Sequence, residues 1–407
     1  MDNSNTNLPL NGIRILDITS VMMGPYAARI LGDMGADVIK IEPPSGDTVR
    51  DVGPSRSKGM GPFYMHANRN KRSLAIDLKQ SASKEVMDRL VRSADVLLYN
   101  VRPQAMERLG LGYERLRELN PSLIYTGAYG FGQSGPYAKR PAFDDLIQGL
   151  AGIPSLIALS GDGTPRYIPL AIIDRYVGVH VVGAVMGGLF HKLRTGQGQS
   201  IEVPMFETAT ELVLGDHLMG NSFDPNLGPA GYARSLSRDR HPFETNDGYV
   251  CVMVYTDEQW KSFFQLTGQE ELISDPRYSS MSARTIHSNE LNQILKNTMH
   301  ERSTQEWLDI FEERDIPATR LHDLQSIQQD PHLQEVKFFE WLDHPSEGRI
   351  CSMRPPTNWS ATPPSIRLPA PRIGEHSREI LKEIGFDDNH IDGMAKVGAI
   401  ALDPTIR

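Results

Sequence analysis

Short apolar runs alternate with amphipathic stretches through the first third of the chain. Residues 13–19 are apolar and β-branched enough for a strand. Gly24-Pro25 breaks that run, and proline suits a first helical turn, so a helix is predicted over 26–34 with Gly35 closing it. Residues 36–42, 73–78, 96–99 and 123–128 read as further strands. Residues 83–93 form an amphipathic helix with Val86, Leu90 and Val91 on its apolar side, and residues 105–119 form another helix. Strands and helices in alternation predict an α/β domain with a largely parallel sheet covered on both faces. No GxGxxG phrase follows the first strand, so no nicotinamide site is read. Ligands of such sheets still bind beyond the carboxyl ends of the strands.

The pattern changes after Met205. Residues 221–239 are rich in Gly, Pro, Ser and Asn and read as a linker or loop. Strand-like runs over 241–255 flank Asn246-Asp247-Gly248, a turn signal, and helical segments follow to about residue 314. Residues 332–372 carry many prolines and little periodicity, as an extended strap would, and residues 377–384 form a last helix. The predicted organisation is a large α/β domain over 1–224, a small α+β domain over 225–325, and a strap and helix over 326–407 that return to the large domain.

Composition narrows the class. A chain of 407 residues with 39% hydrophobic and 23% charged residues is globular and large enough for two cores. Its formal net charge of −9 excludes a global attraction to nucleic acid or anionic membrane, so an anionic ligand needs a local basic patch. Two cysteines, Cys251 and Cys351, with no pairing motif suit a reducing, cytoplasmic setting. The first ten residues lack the basic-then-apolar pattern of a secretion signal. The longest near-apolar segment, 176–190, includes His180 and is shorter than the roughly 20 residues that span a bilayer, so a core helix is expected there. The 12 histidines show no HxxxH or CxxC-type spacing, so no metal site is read.

One acid stands out. Residues 169–173 are apolar and β-branched like a strand, residues 177–190 are apolar and small like a helix, and Asp174 sits at the turn between them. An aspartate there serves as an ordinary N-cap. It also serves as a nucleophilic carboxylate whose charge the helix N–H groups stabilise. Spacing alone leaves both roles open.

Several phrases occur together in one order along nearly the whole chain. They include Gly12-Ile-Arg-Ile-Leu-Asp17, Leu31-Gly-Asp-Met-Gly-Ala-Asp-Val-Ile-Lys-Ile-Glu42, Asn68-Arg-Asn-Lys-Arg-Ser-Leu-Ala-Ile-Asp-Leu78, Asn100-Val-Arg-Pro103, Gly130-Phe-Gly-Gln-Ser-Gly-Pro-Tyr137, Thr195-Gly-Gln-Gly-Gln199 and Ala370-Pro-Arg-Ile-Gly-Glu-His376. In these the chain resembles the family III CoA-transferases, the group of formyl-CoA transferase and the carnitine CoA-transferases. The resemblance implies a Rossmann-like large domain with a smaller α+β domain, in a homodimer whose chains interlock. It implies a coenzyme A thioester as substrate, no tightly bound cofactor, and an acyl-CoA donor with a carboxylic acid acceptor, succinyl-CoA being one candidate donor.

The resemblance places the acylated aspartate at Asp174 and a second acid at Asp144, within Phe143-Asp144-Asp145-Leu-Ile-Gln148. CoA contacts map onto Val21, Met22, Met23, Ile76, Asn100, Arg102, Arg108 and Phe143, with Lys71 and Arg72 near the basic patch. Ile76 and Val21 would flank the adenine or pantetheine. Arg102 and Arg108 would pair with phosphates. Met22 replaces a glutamine of some relatives and donates no hydrogen bond, and Pro43 replaces a family arginine. Gly228-Pro-Ala-Gly231 matches the place of a mobile glycine loop, and Arg234, Arg238 and Arg240 are candidates for binding the second carboxylate of a diacid. The rival reading is an α-methylacyl-CoA racemase. Racemases need a histidine base where Phe143 stands here, and phenylalanine cannot move a proton. A non-catalytic CoA-binding subunit of a hetero-oligomer is the third reading.

Overall fold

The computed structural model describes residues 8–403; most of the N-terminal stretch read for a secretion signal lies outside them. The chain separates into two compact units. The first combines the chain up to Ile147, Pro169–Ala209 and the chain from His332 onward; the second combines Gln148–Ile168 with Thr210–Pro331. Relative to the boundaries read from composition, the second unit gains 148–168 and begins at Thr210.

The first unit is built on strands β1 (Arg14–Ile18), β2 (Asp37–Glu42), β3 (Lys71–Ile76), β4 (Val96–Tyr99), β5 (Ile124–Tyr129) and β6 (Gln199–Pro204). They pair in parallel in the order β3-β2-β1-β4-β5-β6. The short strand Ile400–Ala401 adds antiparallel to β3. Order reverses between β1 and β4, and such a switch point opens a crevice at the strand ends. The α/β class and the parallel sheet expected from the alternation are thus present.

Side chains alternate across these strands. Leu16, Ile18, Ile39, Ile41, Leu74, Ile76, Leu97 and Tyr99 share one buried core with Val86, Leu90, Met106, Leu116, Ile380 and Ile391 from the covering helices. The residues between them in sequence face the other way. In that set Asp17, Lys40 and Ser73 form a polar row, since Asp17 pairs in register with Lys40 and Lys40 with Ser73. A sheet buried on both faces reads as nearly continuous apolar runs, so three polar residues in one row mark a built feature.

The helix Ile172–Thr195 runs 24 residues. By length and composition it would cross a membrane, longer than the near-apolar segment suggested. One side of it is buried, through Ile173, Val177, Val181 and Val185. A β-carbon at Gly188 would lie 2.8 Å from Ile124 and 3.0 Å from Ile201, so glycine lets this helix lie against β5 and β6. The core helix expected from the sequence is thus buried on one face only, with Val179, Phe190 and Leu193 left exposed.

Four expectations change. Residues 169–171 are irregular and Ile172 already begins the helix, so no strand precedes Asp174. β5 is taken by β4 and β6, leaving no edge there for a strand at 169–173. The helix expected over 105–119 divides into Pro103–Arg108 and Tyr113–Leu119, because Gly110 takes φ +69° between them. The stretch 332–372 is not a featureless strap, since Phe339–His344 and Gly348–Met353 pair as an antiparallel hairpin. A further helix, Asp388–Lys396, follows Ser377–Glu383.

The second unit has a three-stranded antiparallel sheet of β7 (Phe243–Glu244), β8 (Tyr249–Val252) and β9 (Ala318–Arg320). The expected turn closes β7 on β8, with Thr245 N–H donating to the Gly248 carbonyl at 2.9 Å. Trp260, Phe263, Phe264, Leu291, Leu295, Trp307 and Phe311 fill its core.

Candidate active site

A cleft of about 400 Å³ lies in the first unit, lined from several loops. Ser20, Val21, Met22 and Met23 come from the end of β1 and the start of the first helix, Met23–Asp33. Asn100, Val101, Arg102 and Ala105 follow β4, and Tyr129 and Gly130 end β5. Arg140, Pro141, Ala142, Phe143, Asp144, Asp174 and Met205 complete it. These loops leave the carboxyl ends of adjacent parallel strands, where ligands of such sheets bind.

Asp174 is the third residue of the long helix, inside its positive end. The cap residue is Ala171, which makes no side-chain cap bond, so Asp174 does not act as a conventional N-cap. A β-carbon at Gly178, one turn on, would lie 2.9 Å from the Met23 carbonyl oxygen and 3.1 Å from the Tyr26 ring. Glycine there lets the long helix close on the first helix. That contact brings Asp174 to the cleft wall beside Met23.

Asp144 begins the helix Asp144–Leu150 and accepts the backbone N–H of Asp174 at its Oδ2, 2.8 Å away. The second acid therefore occupies one of the N–H groups expected to stabilise an oxyanion. Burial pushes the Asp174 carboxyl up to about 7, and the nearby Asp144 charge adds to the rise, opposed in part by Arg175. Desolvation of this kind is one of the arrangements that raise the reactivity of a carboxylate.

Eight of the ten residues singled out from sequence as site residues line this cleft: Asp174, Asp144, Val21, Met22, Met23, Asn100, Arg102 and Phe143. Phe143 is exposed, while Met22 and Met23 are buried to 2% and 4%, so the methionines back the wall. Asn100 is committed to the backbone. Its Oδ1 accepts Ser20 N–H at 3.0 Å and its Nδ2 donates to the Ser20 carbonyl at 2.8 Å.

Four of the residues named for the basic patch or CoA contact lie away from this cleft. Ile76 is 1% exposed in the core on the opposite face of the sheet from Asp17 and Lys40, so it does not line the cleft. Arg108 is exposed at a different cavity, with Lys79, Lys84 and Arg115. Lys71 is fully buried and donates to Asp17, Pro25 and Asn68 at 2.8–2.9 Å. Arg72 pairs with Asp37, Glu379 and Glu383. Sequence gives charge, but the side of the strand decides whether it meets ligand or partner. Arg234 and Arg240 line a separate cavity of about 310 Å³ within the second unit, with Arg284; Arg238 does not.

Tyr129 and Arg140 were not singled out from sequence. Tyr129 ends β5 and its hydroxyl donates to Glu202 at 2.7 Å. Arg140 is exposed and stacks over Tyr137 at 3.9 Å, adding a second cation to Arg102. The Arg-Pro pair at 140–141 was the only hint of the latter.

Comparison with known proteins identifies the family of the chain. The family model "CoA-transferase family III" matches residues 10–377. The succinate–glutarate CoA-transferase of Agrobacterium fabrum is 32% identical over 401 residues, covering 94% of this chain and 97% of its own. The human succinyl-CoA:glutarate CoA-transferase is 30% identical, covering 96% of this chain and 90% of its own. Among solved structures, Rv3272 of Mycobacterium tuberculosis superposes with a TM-score of 0.79 at 29% identity, covering 91% and 98% of the two chains. A CAIB/BAIF family protein of Brucella suis gives 0.77, covering 93% and 100% at 29% identity. The matches span both chains nearly end to end, and the chain belongs to CoA-transferase family III.

Proposed function

We propose that the enzyme moves CoA from a dicarboxylyl-CoA donor, succinyl-CoA foremost, to a free carboxylic acid through covalent intermediates on Asp174. The observation that carries this reading is Asp174 itself, a partly desolvated carboxylate at a helix start in the cleft, titrating at about 7. The names of the Agrobacterium and human relatives support succinate and glutarate as the acid class.

The carboxylate attacks the thioester carbonyl, the C–S bond breaks, and CoA leaves as thiolate with a mixed anhydride left on Asp174. The thiolate attacks the Asp174 carbonyl of that anhydride and the donor acid departs. Asp174 now carries CoA as a thioester. An acceptor carboxylate attacks this thioester, again expelling thiolate and giving a second anhydride. The thiolate then attacks the acceptor acyl carbon, releasing the new acyl-CoA and the free Asp174 carboxylate. No net proton moves, so no histidine base is needed, consistent with Phe143 at the place where a racemase needs one. A carboxylate suits the role because its anhydride and its thioester both stay activated. Asp144 holds the Asp174 backbone, and Arg102 and Arg140 supply positive charge for CoA phosphates.

Two further features belong to this reading. The long helix leaves Val179, Phe190 and Leu193 exposed at 54%, 60% and 82%, which suits burial by a second copy in an interlocked homodimer. The unpaired Cys251 and Cys351 suit a reducing cytoplasm. The test is steady-state exchange between succinyl-CoA and glutarate. Parallel double-reciprocal lines, lost in Asp174→Ala, support the covalent route; intersecting lines oppose it.

A further inference from the structure

The wall of the cleft formed by Ser20, Val21 and Met22 is held in a conformation its sequence does not favour. Val21 has φ +69°, a left-handed backbone that a β-branched residue avoids. Such a conformation persists only where the surroundings over-determine it. Here they do. Thr19 N–H donates to Asp17 at 3.1 Å, the Thr19 carbonyl accepts Lys40 Nζ at 3.1 Å, and Asn100 brackets Ser20 from both sides. Val21 N–H donates to Asp47 Oδ1 at 3.2 Å.

Asp47 is itself fixed. Its other oxygen accepts Lys40 Nζ at 2.9 Å, and both side chains are at most 1% exposed. Its Oδ1 also caps the turn at Val49, and its backbone N–H donates to Glu42, which Arg50 and Ser73 hold in turn. The charges of Asp17 and Asp47 outweigh the effect of burial on Lys40 and raise its ammonium above the ordinary range, so it stays charged. A buried ion pair is weak evidence for stability, and fixing one geometry is its better-attested use. The Val21 side chain packs on the Val49, Met60 and Tyr64 cluster.

We propose that Asp47, clamped by Lys40, is a positioning residue for CoA transfer: it holds Val21 in the left-handed conformation and so preforms the wall against which CoA binds. This rests on the family III assignment and on the cleft being the CoA site.

The test is a double-mutant cycle read by calorimetric affinity for free CoA and by kcat/KM for succinyl-CoA. Asp47→Ala, which removes the acceptor of Val21 N–H, is expected to weaken both about tenfold in the Val21 protein, the scale of a lost charged hydrogen bond with the strain released. Glycine takes φ +69° unaided. In the Val21→Gly background the same change is therefore expected to cost less than about twofold. If Asp47→Ala does not fold, the pair Lys40→Met with Asp47→Leu removes both charges without stranding either, and must show the same dependence on residue 21. Equal losses in both backgrounds, or no loss in either, overturn the proposal. Because CoA affinity needs no chemistry, failure to find an adduct on Asp174 would sink the covalent mechanism and leave this cycle standing.

Discussion

The carboxylate of Asp144 accepts the backbone N–H of Asp174 at 2.8 Å, so one acid holds the other by its main chain, and its charge adds to the rise that burial gives the Asp174 pKa. These two effects separate in mutants. Asp144→Asn retains an acceptor for the N–H and removes the like charge. Removing a negative neighbour lowers the Asp174 pKa, so the acid limb of the kcat/KM profile moves below 7 while kcat falls by no more than about tenfold. Asp144→Ala removes the acceptor as well and is expected to cost kcat about a hundredfold. An unmoved acid limb in Asp144→Asn would dissociate the two carboxyls.

Asp174 also taxes the fold. Its folded pKa of about 7 lies above the ordinary 3.8. Between those values the folded chain keeps a proton that the unfolded chain has released. Stability therefore falls as pH rises through that window, and the full cost is present above 7. Asp174→Asn removes the titration. Its melting temperature is expected to exceed the parent's by a few degrees at pH 8, with a smaller gap at pH 5.5, the difference being about 2 kcal/mol. Thermal melts at both pH values check this, and a gap that shrinks with pH would oppose it.

Arg102 is exposed on the cleft, with Nη1 donating to the Lys139 carbonyl at 3.3 Å, and is free to reach a phosphate. Arg102→Ala is expected to raise KM for acyl-CoA about five- to tenfold, with less effect at high salt and little change in kcat. Assays at two ionic strengths read the effect.

Ile76 tests the expected CoA contact. It lies in the core beside Leu74 and the covering helices. Ile76→Ala is expected to destabilise by about 2–4 kcal/mol and leave KM for CoA within about twofold. A CoA-specific rise in KM without loss of stability would return Ile76 to the binding site.

Periodicity was enough to read most of the sheet, because β1 through β5 are short apolar-rich runs set between polar or helical stretches. It failed at β6, where the burial of Gln199–Pro204 is uneven and its pairing with β5 supplies the order. It also failed at Ile172-Ile173, which carry strand propensity but are held in a helix by burial of Ile173. For the site, order along the chain located Asp174, Asp144 and the Val21–Met23 wall. It could not tell Asn100 as a clamp from Asn100 as a ligand, since its partner Ser20 is 80 residues away. Asp47 and Lys40 escaped notice for the same reason: a strand lysine and a loop aspartate look solvated until register places them under the cleft wall.

The most direct measurement is peptide mass spectrometry after incubation with succinyl-CoA and no acceptor, with hydroxylamine or borohydride to mark an activated carboxyl. The account expects a CoA or succinyl adduct on the peptide containing Asp174, absent in Asp174→Ala. CoA transfer proceeding at full rate with no mark on that peptide, or with the mark on another residue, would contradict it.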